Sequence, residues 1–411
     1  MQSEKFPEIG LSLRLYRFFL RAILFVYLQL LNLANKLRTK RVLNKQNLDI
    51  LITGTFYSDQ WLITHLKPLA LSSMTDRVRM VAVTPVPKIK GVEAIYPPGW
   101  LVKCCGSVPA RLIMFSWCAL TSRPDVIGGF HLLLNGLLGI LLAKLTGARS
   151  LYICGGGPRE VAGGGYKTEN RIFNRIKYFD GVLEQQLIQA VSYCDLVVTM
   201  GTSAVTYFKS HGVDTHYEIV AGGFSSEEFY PAEQEPEFDL ILIGRLSSVK
   251  QVNVFLKSIS KAKDKIPSLN AVVVGDGPDI NELKNMAQSL GLGEDVFFAG
   301  WQNNIGEWLR KARVFMLTSS SEGLSQALIQ AMMTGVPAIV SDVGDLGDLV
   351  KDGENGYLVK DLTDTEFSFR IVQLLSKEGR LNEFGELAYK ASQRFVVENV
   401  VIQWDAILKK V

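Results

Sequence analysis

Short apolar runs alternate with amphipathic stretches along most of the chain, from residue 48 onward. Asp49–Gly54 has the composition of a buried strand that ends in a glycine-containing turn. Runs of the same kind begin at Val78, Asp125, Arg149, Asp195 and Tyr217. Alternating apolar strands and helices predict a parallel, doubly wound α/β sheet.

A second series of strands follows the polar, proline-containing segment 231–237. It opens with Asp239–Gly244, and further strands are predicted at 270–275, 295–300, 314–317 and 337–342. We therefore predict two Rossmann-like domains, 46–230 and 231–394, with ligands bound in the cleft that both domains face. The apolar helix 393–410 is expected either to pack back onto the first domain, so that 395–411 join it, or to stay at the end of the second.

Residues 1–45 form a separate basic region. Residues 1–41 contain eight Lys or Arg and two Glu, whereas the whole chain has a net charge of only +3, so general nucleic-acid binding is not indicated. On a helix, one polar stripe would contain Arg14, Arg17, Arg21, Gln29, Asn32 and Lys36. Three interpretations stay open: an amphipathic helix lying in a membrane surface, helped by the basic segment Lys36–Lys45, a helix docked on the first domain, and a transmembrane anchor.

The number and spacing of the cysteines indicate the cellular compartment in which the protein is expected. The five cysteines are odd in number and lack metal-ligand spacing, which argues against a disulfide framework and against a zinc site. We predict no metal site. The expected location is the cytoplasm, peripheral on the inner face of the plasma membrane.

The stretch 314–337 combines an apolar strand, a polar turn and a helix. The turn contains Glu322 and Gly323, and Gly335 with Pro337 ends the helix. Backbone N–H groups at a helix start form an anion site, and a carboxylate beside them is placed to bind hydroxyl groups of the ligand. The combination suggests a phosphorylated sugar.

Two basic residues, Arg245 and Lys250, lie in the turn after the first strand of the second domain. At the carboxyl edge of a sheet such a pair can clamp a diphosphate, with solvated surface residues as the alternative. Glu322 and Gln330 would lie ~12 Å apart on a helix, which rises roughly 1.5 Å per residue. That span would reach from a sugar to a ribose, and an ordinary surface position is the alternative for Gln330.

Five motifs occur in order: Gly244-Arg-Leu-x3-Lys250, Val274-Gly-Asp-Gly-Pro278, Phe298-x-Gly300, Ser321-Glu-Gly-x6-Gln-Ala-Met-x2-Gly-x-Pro337 and Gly353-x-Asn-Gly-Tyr-Leu-Val359. Together they resemble family 4 of the retaining nucleotide-sugar glycosyltransferases. The resemblance implies an α/β fold of the GT-B type, with two Rossmann-like doubly wound domains facing a cleft. It covers residues 238–360 well and the first half only in layout.

The resemblance also implies roles by position. Arg245 and Lys250 would neutralise the donor diphosphate without a metal ion, and Glu322 would bind the donor sugar. His131 matches a loop residue beside that sugar, with a structural histidine as the alternative. With these four as catalytic residues, the remaining donor-binding positions are Gly54, Gly244, Gly277, Gln302, Gly323, Leu324, Ser325 and Gln330. Backbone N–H groups of residues 323–325 would hold phosphate, and Gln330 would hold the ribose.

Three positions depart from the family pattern. The second of its paired glutamates is Gln330, a neutral group that can still hydrogen-bond a ribose. Gln251 follows Lys250 where the family has glycine. The segment Gly344–Asp348 carries an aspartate where the family has a glutamate.

The expected activity is transfer of a hexose, with retained configuration, from a nucleoside diphosphate sugar to a glycan or lipid-linked acceptor. Such an enzyme would serve cell-surface polysaccharide or glycolipid synthesis and needs no cofactor beyond the nucleotide-sugar co-substrate. A non-catalytic nucleotide-sugar-binding module is the alternative that Gln330 motivates. A dinucleotide-dependent oxidoreductase is disfavoured because no G-x-G-x-x-G follows Ile52 or Ile243. The glycine-rich segment 155–171 is expected to be a mobile acceptor-side loop, with an ordinary connecting loop as the alternative.

Overall fold

A computed structural model describes residues 10–39, 47–56, 58–168, 170–232 and 235–410. The chain divides into two compact units, residues 1–220 with 401–411, and residues 221–400. We call them the first and second domains. The predicted boundary after residue 230 therefore lies inside the second domain, and only the later part of the segment 395–411 belongs to the first.

The first domain is built on seven strands, β1 (Leu48–Thr53), β2 (Thr75–Val81), β3 (Val92–Ile95), β4 (Val126–Phe130), β5 (Arg149–Cys154), β6 (Leu196–Thr199) and β7 (His216–Ile219). They form one sheet in the order β3-β2-β1-β4-β5-β6-β7, and all neighbours are parallel. The carboxyl ends of β1 and β4 are adjacent, and this places the turns that follow them side by side.

Eight helices belong to the described part of this domain before residue 220. They are α1 (Leu11–Leu37), α2 (Asp59–Leu71), α3 (Gly99–Cys105), α4 (Ser107–Ser122), α5 (Leu137–Thr146), α6 (Arg171–Asn174), α7 (Gly181–Ser192) and α8 (Thr202–Ser210). The helical run predicted from residue 132 is not continuous. The backbone of Leu132–Gly136 is kinked before α5 begins, because Leu133 and Leu134 have non-helical angles, with a φ of 71° at Leu134.

The second domain has six strands, β8 (Phe238–Ile243), β9 (Ala271–Val274), β10 (Val296–Gly300), β11 (Ala312–Leu317), β12 (Ala338–Ser341) and β13 (Gly356–Val359). Their order is β10-β9-β8-β11-β12-β13, again all parallel. Both sheets thus contain the strand order 3-2-1-4-5-6 that defines a doubly wound Rossmann-type sheet. The predicted pair of doubly wound α/β domains is confirmed.

Helices cover both faces of the second sheet. They are α9 (Val252–Ala262), α10 (Ile280–Ser289), α11 (Ile305–Arg310), α12 (Gln326–Met333), α13 (Asp364–Leu375) and α14 (Glu378–Ser392). Along β8, Leu240 and Leu242 join one apolar cluster while Ile241 and Ile243 join another. Burial on both faces explains why β8 is continuously apolar rather than alternating.

The last helix, α15 (Val397–Leu408), carries contacts to the first domain. The Asp405 carboxylate accepts hydrogen bonds from the Ser72 hydroxyl at 2.6 Å and the Ser73 N–H at 2.8 Å. The Gln403 amide donates to the Ile219 carbonyl at 2.6 Å. Of the two placements left open for this helix, the end of α15 takes the one on the first domain.

Helix α1 is docked on the first domain through one of its faces. Leu20, Leu24, Leu28 and Leu31 are buried in the same apolar cluster as Leu187 of α7. The Tyr27 hydroxyl donates to the Leu137 carbonyl at 2.8 Å. Since these leucines repeat every three or four residues, they form one continuous stripe along the helix.

The predicted polar stripe of α1 is divided by this docking. Arg17 donates to Asp180 at 2.7 Å, and Arg21 pairs with the same carboxylate at 2.9 Å. Both arginines therefore face the protein, while Arg14, Gln29 and Lys36 are exposed. Residues 40–45 of the predicted basic segment lie outside the described residues.

The opposite face of α1 is apolar and exposed. Its large exposed side chains include Phe18 at 64%, Phe19 at 60% and Ile23 at 63%. Among the described residues, α1 is the one helix long and apolar enough to cross a bilayer, with a mean hydropathy of 1.5 over its most apolar window. Docking has thus buried one apolar stripe and left a second one uncovered.

Candidate functional site

Two turns at the carboxyl edge of the second sheet hold the predicted diphosphate clamp and the predicted sugar-binding carboxylate. Lys250 ends a short helical turn after β8, and Glu322 lies in the loop after β11. The Lys250 ammonium donates to Glu322 Oε1 at 2.6 Å. Both side chains are largely shielded, at 21% and 11% exposure. The pairing of β8 with β11 brings these residues together.

Further hydrogen bonds tie the same two turns. The Thr318 hydroxyl lies 3.1 Å from the Lys250 carbonyl and 3.0 Å from the Gln251 carbonyl. The Ser320 N–H donates to the Val249 carbonyl at 2.8 Å. Gln251 itself has a φ of 47°, which lies in the left-handed region that favours glycine. The backbone here keeps a conformation suited to the family's glycine, although this chain has glutamine at the position.

Glycines bring neighbouring loops close to this pair. A Cβ at Gly344 would overlap the Glu322 carbonyl oxygen, and the Asp345 N–H donates to the Gly323 carbonyl at 3.3 Å. A Cβ at Gly277 would overlap the Leu246 carbonyl oxygen, while the Gly244 position faces the Lys250 side chain. Gly344 and Gly277 allow these two overlapping approaches because they lack a side chain, and the approach of Gly344 shapes the backbone at Glu322.

The predicted start of the anion-binding helix needs correction. Helix α12 begins at Gln326, and the Ser325 hydroxyl caps it by accepting from the Leu328 N–H at 3.3 Å. Gly323, Leu324 and Ser325 therefore precede the helix, so the ~12 Å estimate for a continuous helix between Glu322 and Gln330 does not apply. Gln330 is 6% exposed, which excludes the ordinary surface position.

The remaining predicted residues of the second domain lie along the same sheet edge. Arg245 follows β8 with its side chain exposed. Gln302 follows β10 and donates its amide to the Ala299 carbonyl at 2.8 Å. The turns after β8, β9, β10 and β11 thus carry the predicted donor-binding positions of this domain except Gln330, which lies within α12. Ligands of doubly wound sheets bind at this edge.

Gly54 and His131 are neighbours in the first domain, at the ends of β1 and β4. A Cβ at Gly54 would lie 2.7 Å from the Cβ of Phe130, the residue before His131. His131 has a φ of 61°, an uncommon conformation for a non-glycine residue. Its ring stacks on Trp61 at 6.1 Å between ring centroids.

Glu160, which no motif identified as a site residue, fixes the His131 turn. Its carboxylate lies 2.8 Å from His131 Nδ1 and accepts from the Leu132 N–H at 2.7 Å, the Gly156 N–H at 2.5 Å and the Tyr152 hydroxyl at 2.8 Å. Glu160 is 4% exposed. Although burial raises the pKa of this carboxyl, His131 and the backbone N–H groups outweigh it, so the net pKa is lowered.

This network bears on the segment expected to be a mobile loop. Residues Gly157–Glu160 form a helical turn whose last side chain is bonded to β5 and to the turn after β4. The beginning of the segment is therefore fastened to the sheet edge. The acidic residue in Gly155-Gly-Gly-Pro-Arg-Glu160 was the available sequence signal, since a glutamate amid glycines can bind the backbone N–H groups they expose.

A cavity of about 280 Å³ opens beside His131 within the first domain. Its lining includes Thr55, Arg111, Asn135, Arg159, Glu160 and Thr168. Arg111 is 2% exposed, and it donates to the Thr53 hydroxyl at 2.6 Å and to the Asn135 side-chain oxygen at 2.9 Å. Sequence reasoning missed Arg111 because a single arginine in an apolar helical run carries no motif.

Comparison with known proteins bears mainly on the second domain. Residues 225–391 match the family described as glycosyl transferases group 1. An exopolysaccharide phosphotransferase from Streptomyces coelicolor is 30% identical over 44% of this chain and 19% of its own length. A poly(glycerol-phosphate) alpha-glucosyltransferase from Bacillus subtilis is 25% identical over 51% of this chain and 30% of its own length.

A third relative, from Campylobacter jejuni, adds GalNAc to a diNAcBac-PP-undecaprenol glycan as an alpha-1,4-N-acetyl-D-galactosaminyltransferase. It is 27% identical over 55% of this chain and 64% of its own length. The chain therefore spans less than two thirds of the length of each of these three relatives.

Solved structures extend the likeness to both domains. Anabaena HepE in complex with UDP has a TM-score of 0.69 at 18% identity, covering 88% of this chain and 100% of HepE. Sucrose-phosphate synthase from Thermosynechococcus elongatus has a TM-score of 0.71 at 17% identity, covering 89% of this chain and 99% of that enzyme. The chain thus has a GT-B-like fold of two parallel-sheet α/β domains, and its second domain matches the group 1 glycosyltransferase family.

Proposed function

We propose that this protein is a metal-independent, retaining glycosyltransferase of family 4. It would move a hexose from a nucleoside diphosphate sugar to a glycan or lipid-linked acceptor in cell-surface polysaccharide or glycolipid synthesis. The observation that carries the proposal is the Lys250–Glu322 pair, which lies in the family-matching segment at the carboxyl edge of the second sheet. HepE was crystallised with UDP, so uridine donors are the first to test.

The proposed chemistry follows from the charges at this edge. Arg245 and Lys250 would stabilise the negative charge that develops on the departing diphosphate. Glu322, released from Lys250, would accept hydrogen bonds from donor hydroxyl groups. The bond between the anomeric carbon and the diphosphate breaks, with its electron pair leaving on the diphosphate. A bond from the acceptor oxygen forms, and the leaving phosphate takes the acceptor proton.

The exposed face of α1 supports a second part of the proposal, association with the inner surface of the plasma membrane. Phe18, Phe19 and Ile23 stand away from the domain, while Arg17 and Arg21 are engaged by Asp180. A helix fixed in this way would insert its aromatic side chains into the acyl boundary of a bilayer. The cytoplasmic face is favoured because nucleotide sugars are the co-substrate.

The activity is tested with purified full-length protein and a panel of UDP- and GDP-sugars, with and without extracted acceptor lipids and glycans. Release of nucleoside diphosphate that requires both donor and acceptor supports the transferase. Tight donor binding without release in any combination would favour the non-catalytic binding module suggested by Gln330. Absence of both binding and release would contradict the proposal.

The membrane assignment needs a surface variant, because deleting α1 would uncover Leu20, Leu24, Leu28 and Leu31. Replacing Phe18, Phe19 and Ile23 together by Gln should move the protein from the pellet to the supernatant of anionic liposomes. Replacing the exposed, uncharged Gln29 by Ser is the matched control and should leave pelleting near the wild-type level. Equal pelleting of the apolar variant and the wild type would contradict membrane binding through this face.

A further inference from the structure

Arg111 on α4 is a buried cation without a carboxylate partner in the part of the chain that the structure describes. Its guanidinium bonds to two neutral oxygens, those of Thr53 and Asn135. Its Nε–H is buried and has no hydrogen-bond partner among the described residues. Burial lowers the pKa of Arg111 to about 10, which still leaves the group charged at neutral pH.

An isolated buried charge is costly, and proteins normally pair such groups or use them to bind ligands. Arg79 shows the ordinary arrangement in the same domain, because Asp49 binds it at 2.9 Å. Arg111 lies instead in the wall of the 280 Å³ cavity beside His131. An oxyanion in that cavity would supply the missing counter-charge.

The rest of the lining fits an anion with several oxygens. Arg159 is exposed and contributes a second guanidinium. Thr55 adds a hydroxyl group and Asn170 adds an amide, while the Thr168 hydroxyl already donates to the Gly165 carbonyl at 2.7 Å. The one carboxylate in the described lining, Glu160, is already engaged by His131, Tyr152 and two N–H groups. Arginine forks and hydroxyl donors together match the geometry of a phosphate group.

Helix α4 also presents apolar side chains to the outside. Val108 lines the cavity and is itself exposed at the start of α4. The exposed side chains of Ile113, Trp117 and Leu120 share the face of the helix that lies opposite the buried Arg111. That apolar face therefore points away from the cavity, and the cavity itself is defined by its polar groups.

We propose that the Arg111 cavity binds the phosphate group of a phosphate-bearing acceptor, a chemistry that a lipid headgroup and a soluble phosphate ester share. This rests on the proposed function for its place in the reaction, but the binding site itself requires no sugar transfer. The site lies in the first domain, whereas Arg245, Lys250 and Glu322 lie in the second, and its lining includes His131 of the predicted site. Arg111 thereby becomes a determinant of acceptor choice.

The test measures binding of two probes to full-length protein. Isothermal titration with inorganic phosphate reports the oxyanion site, and flotation with phosphatidylcholine vesicles, with or without phosphatidic acid, reports the lipid-linked form. Arg111→Met should weaken phosphate binding by about tenfold or more, as loss of a charged hydrogen-bond donor implies. If a lipid headgroup is the ligand, the variant should also reduce the extra vesicle binding that phosphatidic acid causes and leave the part that α1 contributes. The exposed Arg175→Met is the matched control and should change neither measurement.

Arg111→Lys keeps the charge and covers the case in which Arg111→Met does not fold; it should bind phosphate more weakly than the wild type. Phosphate binding that is absent in the wild type, or equal in the wild type and folded Arg111 variants, would overturn the site. Phosphate binding lost in the variants without any phosphatidic acid effect would support the site and identify a soluble phosphate, not a lipid headgroup, as its ligand. If phosphate binds through Arg111 but no sugar is transferred, the proposed function fails and this site stands.

Discussion

The Lys250 ammonium lies 2.6 Å from a Glu322 carboxylate oxygen, although the two residues are 72 positions apart in the chain. Each lies in the turn that follows a parallel strand, and β8 and β11 are neighbours, so the fold brings their side chains to one point. A donor that draws Lys250 to its diphosphate must also release Glu322, which couples recognition of the phosphates to recognition of the sugar.

This coupling predicts strong losses when either partner is removed. Lys250→Met and Glu322→Gln should each lower kcat/KM for the donor by about 100-fold or more, the scale seen when one preorganised electrostatic group is removed from an active site. Lys257→Met on the exposed face of α9 is the matched control. Initial rates of nucleoside diphosphate release provide the measurement.

The double variant tests whether the two residues act together. If they do, adding Lys250→Met to Glu322→Gln should cost much less than the product of the two single losses. Fully multiplicative losses would contradict the coupling. Activity unchanged in both single variants would remove these residues from the site.

Alanine substitutions at Gly344 and Gly353 should separate the effect of steric overlap from the effect of backbone strain. Gly344 and Gly353 have similar positive φ angles of 59° and 78°, but only Gly344 would place a Cβ against the Glu322 carbonyl. We expect Gly344→Ala to displace the Glu322 turn and weaken UDP binding by about tenfold or more, because a bound group misplaced by about 1 Å loses much of its contribution.

Gly353→Ala carries the strain without the overlap, since nothing lies within 4 Å of its Cβ position. It should cost about 1–2 kcal/mol of stability and leave UDP affinity near the wild-type value. Titration calorimetry and thermal unfolding separate the two effects. Equal UDP affinities in both variants would show that the close approach of Gly344 does not shape the site.

The sequence predicted the two sheets well because buried parallel strands are short, apolar and bounded by glycine turns. It missed β3 and did not single out β13 as a strand, since Val92–Ile95 is only half-buried and alternates with Glu93. We placed the domain boundary after residue 230, later in the chain than the boundary at residue 220, because the proline-containing segment 231–237 was the clearest interruption of the strand and helix pattern. The contacts of Phe224, which pairs with Val396 in the second domain, carry no local signal.

The candidate site was predictable where motifs sit at strand ends, as with Lys250 and Glu322. Its supporting residues were not. Glu160 binds His131 across 29 positions, and Arg111 reaches Thr53 across 58. Such contacts depend on which strands become neighbours. The polar stripe of α1 was found, but Asp180, which turns Arg17 and Arg21 toward the protein, could not be identified as their partner from sequence.

The ion pairs of Asp180 with Arg17 and Arg21 should make the attachment of α1 to the first domain depend on pH. Its carboxylate is fully buried, binds Arg17 and Arg21, and caps α7 through the Leu183 N–H at 3.2 Å. Asp180→Asn should destabilise the first domain by about 3 kcal/mol, because it leaves a buried arginine without its counter-charge. Urea unfolding of wild type and variant at neutral pH measures the loss, with exposed Asp214→Asn as control.

The pH dependence of that loss has a definite sign. Burial raises the pKa of Asp180, but the two arginines outweigh it and the net pKa falls below 3.8. The stabilisation is therefore present above the unfolded pKa and is lost as pH falls through the lower folded value. The gap between wild type and Asp180→Asn should stay constant from neutral pH to about pH 5 and shrink below pH 4. A gap that widens on acidification would contradict the ion-pair account.

Substitution of Glu160 should loosen the local backbone around the His131 turn without unfolding the whole domain. Glu160→Gln replaces one acceptor oxygen by an amide that faces N–H donors, so the Leu132 and Gly156 amides should exchange hydrogen about ten- to a hundredfold faster. Tyr152→Phe removes one of four bonds and should have a smaller effect. Hydrogen exchange of residues 129–160, followed by mass spectrometry, distinguishes them. Unchanged exchange in Glu160→Gln would show that the carboxylate does not hold the His131 turn.

Sugar transfer at the Lys250–Glu322 edge is the step on which the proposed function depends most. The direct measurement follows a labelled sugar from its nucleoside diphosphate donor into acceptor, counts nucleoside diphosphate released, and determines the anomeric configuration of the product by NMR. We predict one sugar transferred per diphosphate released, with configuration retained, and loss of both signals in Lys250→Met but not in Lys257→Met. Diphosphate release without transfer, an inverted product, or full transfer by Lys250→Met would contradict the account.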